Sequence, residues 1–150
     1  MNNINSAPEP MLDDLYRDLI LDHYRHPHNR GHLEHKTAGA EGFNPVCGDE
    51  IAIDFEMDGD GQIKNVGFVG RGCSISQASG SMMTDAIKGK TKAEAMDLVK
   101  AFKRLMTNPE EEAPEELGDL EAFQGVSKFP VRVKCATLAW NVLEEGLEQA

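Results

Sequence analysis

The sequence predicts an α+β fold in which helices pack on one face of a small antiparallel β-sheet of about three strands. Apolar residues alternate strictly from Ile51 to Met57, which is the period of a half-buried strand. The tetrad DGDG (58–61) then gives a strong hairpin turn signal before a return strand over Gln62–Val69. Because strands come early and helical spacing dominates later, α+β is the favoured class.

The N-terminal third contains one predicted helix and one weakly defined segment. Residues 11–26 carry apolar residues at helical spacing, and the pattern ends at His26-Pro27. Residues 28–44 are polar and contain glycine, so that either a loop or a weak edge strand is predicted there.

Three further helices are predicted after the hairpin. Small residues and a methionine pair predict a helix from Ser74 to Lys88. Thr91 and Glu94 form a capping box for the next helix, which runs to about Met106. The acidic, proline-bearing residues 107–119 are expected to form a solvated excursion, and the last helix begins near Pro130 or a few residues later.

Length and composition indicate one domain over residues 11–150, preceded by a disordered tail over residues 1–10. With 15 basic and 26 acidic residues the net charge is −11, which argues against nucleic-acid and membrane partners. No apolar run approaches the ~20 residues of a membrane span. The N-terminal residues lack the pattern of an export signal, so a cytoplasmic protein with reduced thiols is expected.

Each cysteine falls at a predicted edge of regular structure. Cys47 precedes the first clear strand, Cys73 lies between the second strand and a helix, and Cys135 lies near the start of the last helix. With Asp49 they make a four-ligand set of the kind that zinc accepts in tetrahedral geometry, although their spacing matches no zinc-finger pattern. Isolated cysteines are often small core residues, and Asp49 could merely cap its turn, so the residues alone leave both alternatives open.

Charged residues beside the cysteines extend the metal or reactive-thiol hypothesis. Arg71, Arg132 and Lys134 could stabilise thiolates, or Arg132 and Lys134 could simply be solvated charges on a helix. All five histidines fall between positions 23 and 35 without the spacing of a known metal motif. Most of them are expected to be solvated, while His23 is expected to be a packed or capping residue.

Four segments together resemble the U-type iron–sulfur assembly proteins. They are LYRDLILDHYRHPHNRG, NPVCGDEI, GRGCSISQASGSMMTDAIKGKT and FPVRVKCATLAW, and the similarity runs from about Leu12 to Leu147. The resemblance implies a small antiparallel sheet with helices and a cluster of three cysteines and an aspartate at one exposed end. Carried over residue by residue, the cluster is Cys47, Asp49, Cys73 and Cys135.

Two departures from the scaffold branch of that family favour its SufU branch. The scaffold branch has His-Cys where this chain has Lys134-Cys135, and the acidic excursion followed by GDLEAFQGVSKFP resembles the insertion of the SufU branch. That similarity implies a zinc protein that takes persulfide sulfur from a SufS-type, PLP-dependent cysteine desulfurase and passes it to downstream Suf components.

The same resemblance implies Cys47 as the sulfur acceptor. The mobile turn expected between Pro45 and Gly48 favours the same residue, because an accepting thiolate must be able to leave the metal. Two alternatives remain at this point: a scaffold that assembles [2Fe–2S] clusters on the same ligands, and a zinc-stabilised interaction protein without sulfur chemistry. Whether the protein counts as an enzyme is left open.

Overall fold

A computed structural model describes residues 14–108 and 110–150 of the chain. The predicted tail and the first three residues of the predicted first helix lie outside the described residues. The elements follow in the order α1 (Asp14–Arg25), β1 (Ala38–Asn44), β2 (Asp49–Met57), β3 (Ile63–Arg71), α2 (Ser74–Ile87), α3 (Lys92–Thr107), a 3-10 segment (Glu115–Lys128) and α4 (Pro130–Gln149). Every helix in this part of the chain is too short or too polar to cross a bilayer.

The three strands form one antiparallel sheet in the order β1-β2-β3. The predicted hairpin is present, since the Asp58 N–H donates to Gln62 O at 2.8 Å and Asp58 Oδ1 accepts the backbone N–H of Asp60 at 2.8 Å. Of the two alternatives for residues 28–44, the edge strand is correct over Ala38–Asn44. β3 continues two residues beyond its predicted end, to Arg71.

Helices cover one face of this sheet, as predicted. α4 packs across β1 and β2 while α2 packs against β3, over the buried side chains of Ile51, Ile53 and Phe55. The close approach depends on glycine, because a Cβ at Gly42 would lie 2.9 Å from Val142 Cγ2. The alternating apolar residues of β2 therefore supply the apolar surface against which both helices pack.

The other face of the sheet is partly covered by the chain between α1 and β1. Asp54 is buried there and accepts the backbone N–H of Leu33 at 3.0 Å, while His32 Nδ1 lies 2.9 Å from its Oδ2. Burial raises the pKa of Asp54, but the hydrogen bonds with His32 and Leu33 outweigh it and hold that pKa below its usual value. An ionised Asp54 thus ties this segment to the sheet.

The starts of α3 and α4 agree with the signals in the sequence. Thr91 Oγ1 accepts the Glu94 N–H at 3.1 Å and Glu94 Oε1 accepts the Thr91 N–H at 2.9 Å, which completes the predicted capping box of α3. Pro130 occupies the first turn of α4, where its missing N–H leaves no helical hydrogen bond unmade.

The expectation of a solvated excursion over residues 107–119 holds for most of its described residues but is wrong for Leu117. Leu117 is buried, and it is followed at intervals of three residues by the buried Leu120, Phe123 and Val126. Three residues make one turn of a 3-10 helix, so Leu120, Phe123 and Val126 share a face, while Leu117 lies before a break in the helix at Gly118. That face enters the core, where the Phe123 and Phe102 ring centroids lie 5.8 Å apart and the intervening acidic residues stay outside.

Candidate metal centre

Three chain segments bring the cysteines to one end of the sheet. Cys47 lies in the turn between β1 and β2, where Gly48 adopts φ 69°. Cys73 directly precedes α2 with an extended backbone, and Cys135 is the sixth residue of α4. Each position agrees with the expectation that the cysteines lie at the edges of regular structure. Because Glu50 of β2 pairs with Arg71 of β3, the segments before β2 and after β3 meet at this end.

The four predicted ligand residues converge there. Cys47 Sγ and Cys135 Sγ are 3.0 Å apart, and one ligand atom each of Cys47, Asp49 and Cys135 lies within 4.8 Å of the others. Cys73 Sγ completes the group at 3.8 Å from Asp49 Oδ2. The structure therefore gathers three thiols and one carboxylate around a common centre.

Asp49 is fully buried at the first position of β2. Its Oδ1 accepts the backbone N–H of Cys73 at 2.8 Å, so the carboxylate fixes the chain at the start of α2. Its Oδ2 faces the Cys73 thiol. Asp49 can therefore cap the chain with Oδ1 and still offer Oδ2 as a metal ligand.

Two residues outside the predicted ligand set hold this arrangement. Gly72 has φ 143°, and a Cβ there would collide with Asp49 Oδ1 and lie 2.8 Å from Asp49 Cα. Asn44 Oδ1 accepts the Val46 N–H at 3.2 Å, and Asn44 Nδ2 lies 3.9 Å from Cys135 Sγ. The glycine beside Cys73 was visible in the sequence, but its close approach to Asp49 depends on the register of β2 and β3.

Of the three cationic side chains expected near the thiols, Arg132 is the one for which an interaction with a thiol is described. It hydrogen-bonds Cys135, and although burial lowers the pKa of Arg132, the charge of Cys73 and this hydrogen bond outweigh it and raise that pKa. Arg71 instead pairs with Glu50 at 2.8 Å. Lys134 is exposed, and no hydrogen bond or ion pair of its side chain is found within the described ranges.

Burial raises the pKa of the Cys135 thiol, and hydrogen bonds with Cys47 and Cys73 raise it further. Without a cation the Cys135 thiol thus keeps its proton. A bound divalent cation reverses this preference, because metal ligation stabilises the thiolate.

The donor set fits zinc. Zinc takes thiolate sulfur at about 2.3 Å in tetrahedral geometry, which puts two sulfur ligands roughly 3.8 Å apart. The 3.0 Å between Cys47 Sγ and Cys135 Sγ is shorter than this, and small side-chain rotations would open it. Thiolates also suit iron in iron–sulfur clusters, so the ligand types alone do not select one metal.

The histidines are separate from the cysteine cluster. His23 is buried with Nδ1 2.7 Å from Ser81 Oγ, which agrees with its prediction as a packed residue. The other four are at least partly exposed, and His28 Nδ1 lies 2.5 Å from Asp85 Oδ2.

Comparisons with known proteins agree with this geometry. Residues 15–147 match the family model described as the NifU-like N terminal domain. The chain is 49% identical over 136 residues to the zinc-dependent sulfurtransferase SufU of Bacillus subtilis, covering 91% of each chain. It is 44% identical over 139 residues to the iron–sulfur cluster assembly scaffold protein IscU of Streptococcus pyogenes, covering 93% of this chain and 86% of the relative.

Solved structures show the same fold. A candidate iron–sulfur cluster assembly scaffold protein for the SUF system from Fervidobacterium islandicum superposes with a TM-score of 0.82 at 35% identity, covering 94% of this chain and 99% of that one. The predicted resemblance and the predicted α+β architecture are both confirmed.

Proposed function

This chain belongs to the family of NifU-like N-terminal domains, and from that premise we propose that it is a zinc-dependent sulfur acceptor in iron–sulfur cluster assembly. The sulfur donor is the persulfide of a PLP-dependent cysteine desulfurase of the SufS type, and downstream Suf components receive the sulfur. The proposal places the protein in the cytoplasm. Cys47, Asp49, Cys73 and Cys135 are the proposed zinc ligands.

The observation that supports the proposal best is the convergence of three thiols and a carboxylate from three separate segments. The sheet turn supplies Cys47 and the start of β2 supplies Asp49, while the residue before α2 is Cys73 and α4 supplies Cys135. Zinc bound there would hold these segments together and keep the thiols deprotonated.

Cys47 is the proposed acceptor because it is partly accessible and is the least constrained of the three thiols. Cys135 is fully buried inside α4, and Cys73 is fixed by the Asp49 contact to its backbone. Cys47 is half-buried in a short turn next to Val46, which is 62% exposed. A thiol in a turn can move away from its neighbours at lower cost than one in a helix.

The proposed transfer is a thiol–persulfide exchange. The Cys47 thiolate attacks the outer sulfur of the desulfurase persulfide, a new sulfur–sulfur bond forms on Cys47, and the donor's sulfur–sulfur bond breaks. The desulfurase cysteine leaves as a thiolate. One persulfide replaces another, so no external oxidant or reductant is required.

The surface around the thiols suits a protein partner. Phe43 and Val46 are exposed beside Cys47, and Phe129 and Val131 are exposed at the start of α4, before Cys135. Exposed apolar side chains grouped around a polar site are typical of protein–protein interfaces. A desulfurase docked on these residues would shield the transferring sulfur from water.

A scaffold that assembles [2Fe–2S] clusters on the same residues is the second candidate. The 44% identity to the IscU scaffold protein of Streptococcus pyogenes favours it, and thiolates bind iron as well as zinc. Lys134 occupies the position at which the scaffold branch of the family has a histidine, and this difference favours sulfur transfer.

Metal analysis combined with desulfurase turnover tests the proposal. The purified chain is expected to be colourless, to carry one zinc, and to accelerate alanine production by the desulfurase from cysteine. A brown protein with stable visible absorption and no acceleration would support the scaffold instead. A protein that carries zinc but has no effect on the desulfurase would support the third alternative, a zinc-stabilised interaction protein without sulfur chemistry.

A further inference from the structure

A second group of metal-ligand side chains lies where the C-terminal ends of α1 and α2 approach the 3-10 segment. One ligand atom each of His23, His28 and Asp85 lies within 4.8 Å of the others. His23 and Asp85 line a cavity of about 300 Å³ together with residues 116–120. His23 lies near the end of α1, His28 follows that helix, and Asp85 lies in the last turn of α2.

We propose that His23, His28 and Asp85 form a second site, for a divalent first-row transition-metal ion. Two imidazoles and one carboxylate are a ligand set that such ions accept, with water in the remaining positions. The side chains of His28 and Asp85 are 47% and 46% exposed, which leaves room for those waters.

His23 has the local chemistry of a metal ligand. Its Nδ1 is held by Ser81 Oγ at 2.7 Å, and no hydrogen-bond partner of its Nε2 is found among residues 14–108 and 110–150. Metal-binding histidines are usually oriented by a hydrogen bond at their second ring nitrogen in this way.

The surrounding charges favour a cation. Asp85, Glu116 and Asp119 all line the cavity, against one lysine, Lys90. An arriving ion would take the place of the hydrogen bond between His28 Nδ1 and Asp85 Oδ2, which are 2.5 Å apart.

The second site is separate from the thiol cluster. Cys73 stands just before the first residue of α2 and Asp85 lies twelve residues further along. At 1.5 Å per residue this places the two ends about 18 Å apart. The two groups also differ chemically, because the second lacks sulfur and would hold its ion without thiolate ligands.

Cobalt binding to the zinc-loaded protein tests the proposal. Equilibrium dialysis against Co²⁺ with metal analysis is expected to show one additional cobalt per chain, with the zinc retained. The cobalt spectrum should lack thiolate charge-transfer absorption, which would appear if cobalt replaced zinc at the cysteines. H28Q and D85N should each weaken the additional binding by about tenfold or more while retaining zinc.

The chain offers a matched control in His35, an exposed histidine 3.6 Å from Glu34. H35Q should bind the additional cobalt like the unchanged protein. His28 and Asp85 are half-exposed, so that their variants are expected to fold, as circular dichroism would check. No saturable cobalt binding beyond zinc, or equal binding by H28Q, D85N and H35Q, would overturn the proposal and leave Asp85 as an anchor that also accepts Asn29 Nδ2 at 3.0 Å.

Discussion

Asp49 connects the fold to the chemistry at the scale of single residues. One carboxylate oxygen accepts the Cys73 N–H at 2.8 Å and the other lies 3.8 Å from the Cys73 thiol. Gly72 makes this approach possible, because any side chain at that position would collide with Asp49 Oδ1. The geometry of the proposed zinc site therefore depends on a residue that offers no ligand atom.

Replacing Gly72 by alanine should weaken zinc binding by about tenfold or more, because a shifted Asp49 can no longer hold Cys73 in place. Some loss of stability is also expected, since φ 143° is unfavourable for alanine. Competition with a chromophoric zinc chelator measures the first effect.

Gly59 provides the control for this substitution. A Cβ at Gly59 meets nothing within 4 Å, so G59A should retain the original zinc affinity. Equal zinc affinities for G72A and G59A would show that the contact between Gly72 and Asp49 does not shape the site.

The predictability of the site differs from residue to residue. Cys47, Asp49, Cys73 and Cys135 could be selected from sequence because thiols beside glycine and charge are unusual and the family motifs are specific. Gly72 and Asn44 could not be given their roles, since those roles are distances between strands and helices. Lys134 and Arg132 looked equivalent in sequence, and both are exposed, yet Arg132 interacts with the thiols whereas no such contact of Lys134 is described.

At the scale of whole elements, local signals predicted most of the structure. The turn at residues 58–61 and the capping box of α3 depend on residues close together in sequence, so the sequence patterns predicted both correctly. The 3-10 segment was missed because its acidic residues suggested solvent exposure. Its apolar residues recur every three positions from Leu117 to Val126, a period that neither an α-helix nor a strand has.

Phe123 tests whether this segment belongs to the core. F123A should lower the free energy of unfolding by about 3–5 kcal/mol, because it removes a fully buried ring that packs edge-on against Phe102. Chemical denaturation of the zinc-loaded protein measures the change.

Glu112 is the matched comparison, since it is exposed in the acidic part of the same excursion. E112A should change the free energy of unfolding by less than about 0.5 kcal/mol. Comparable small effects of F123A and E112A would mean that the segment is only loosely attached.

At the scale of the whole molecule, the residues that stabilise the fold lie apart from the thiols that are proposed to exchange sulfur. The helices bury their apolar faces against one side of the sheet, and three element edges meet at one end to present the thiols. Exposed apolar residues surround that end, whereas the histidine–aspartate group lies near the far end of α2. A partner docked on the thiols would therefore leave the second group accessible.

The most direct test of the central claim locates the transferred sulfur. Zinc-loaded protein is incubated with the desulfurase and cysteine, digested without reductant, and mapped by mass spectrometry. We expect one added sulfur atom first and chiefly on Cys47, and no desulfurase stimulation by C47A. Sulfur appearing first on Cys135, with C47A still stimulating the desulfurase, would contradict the account.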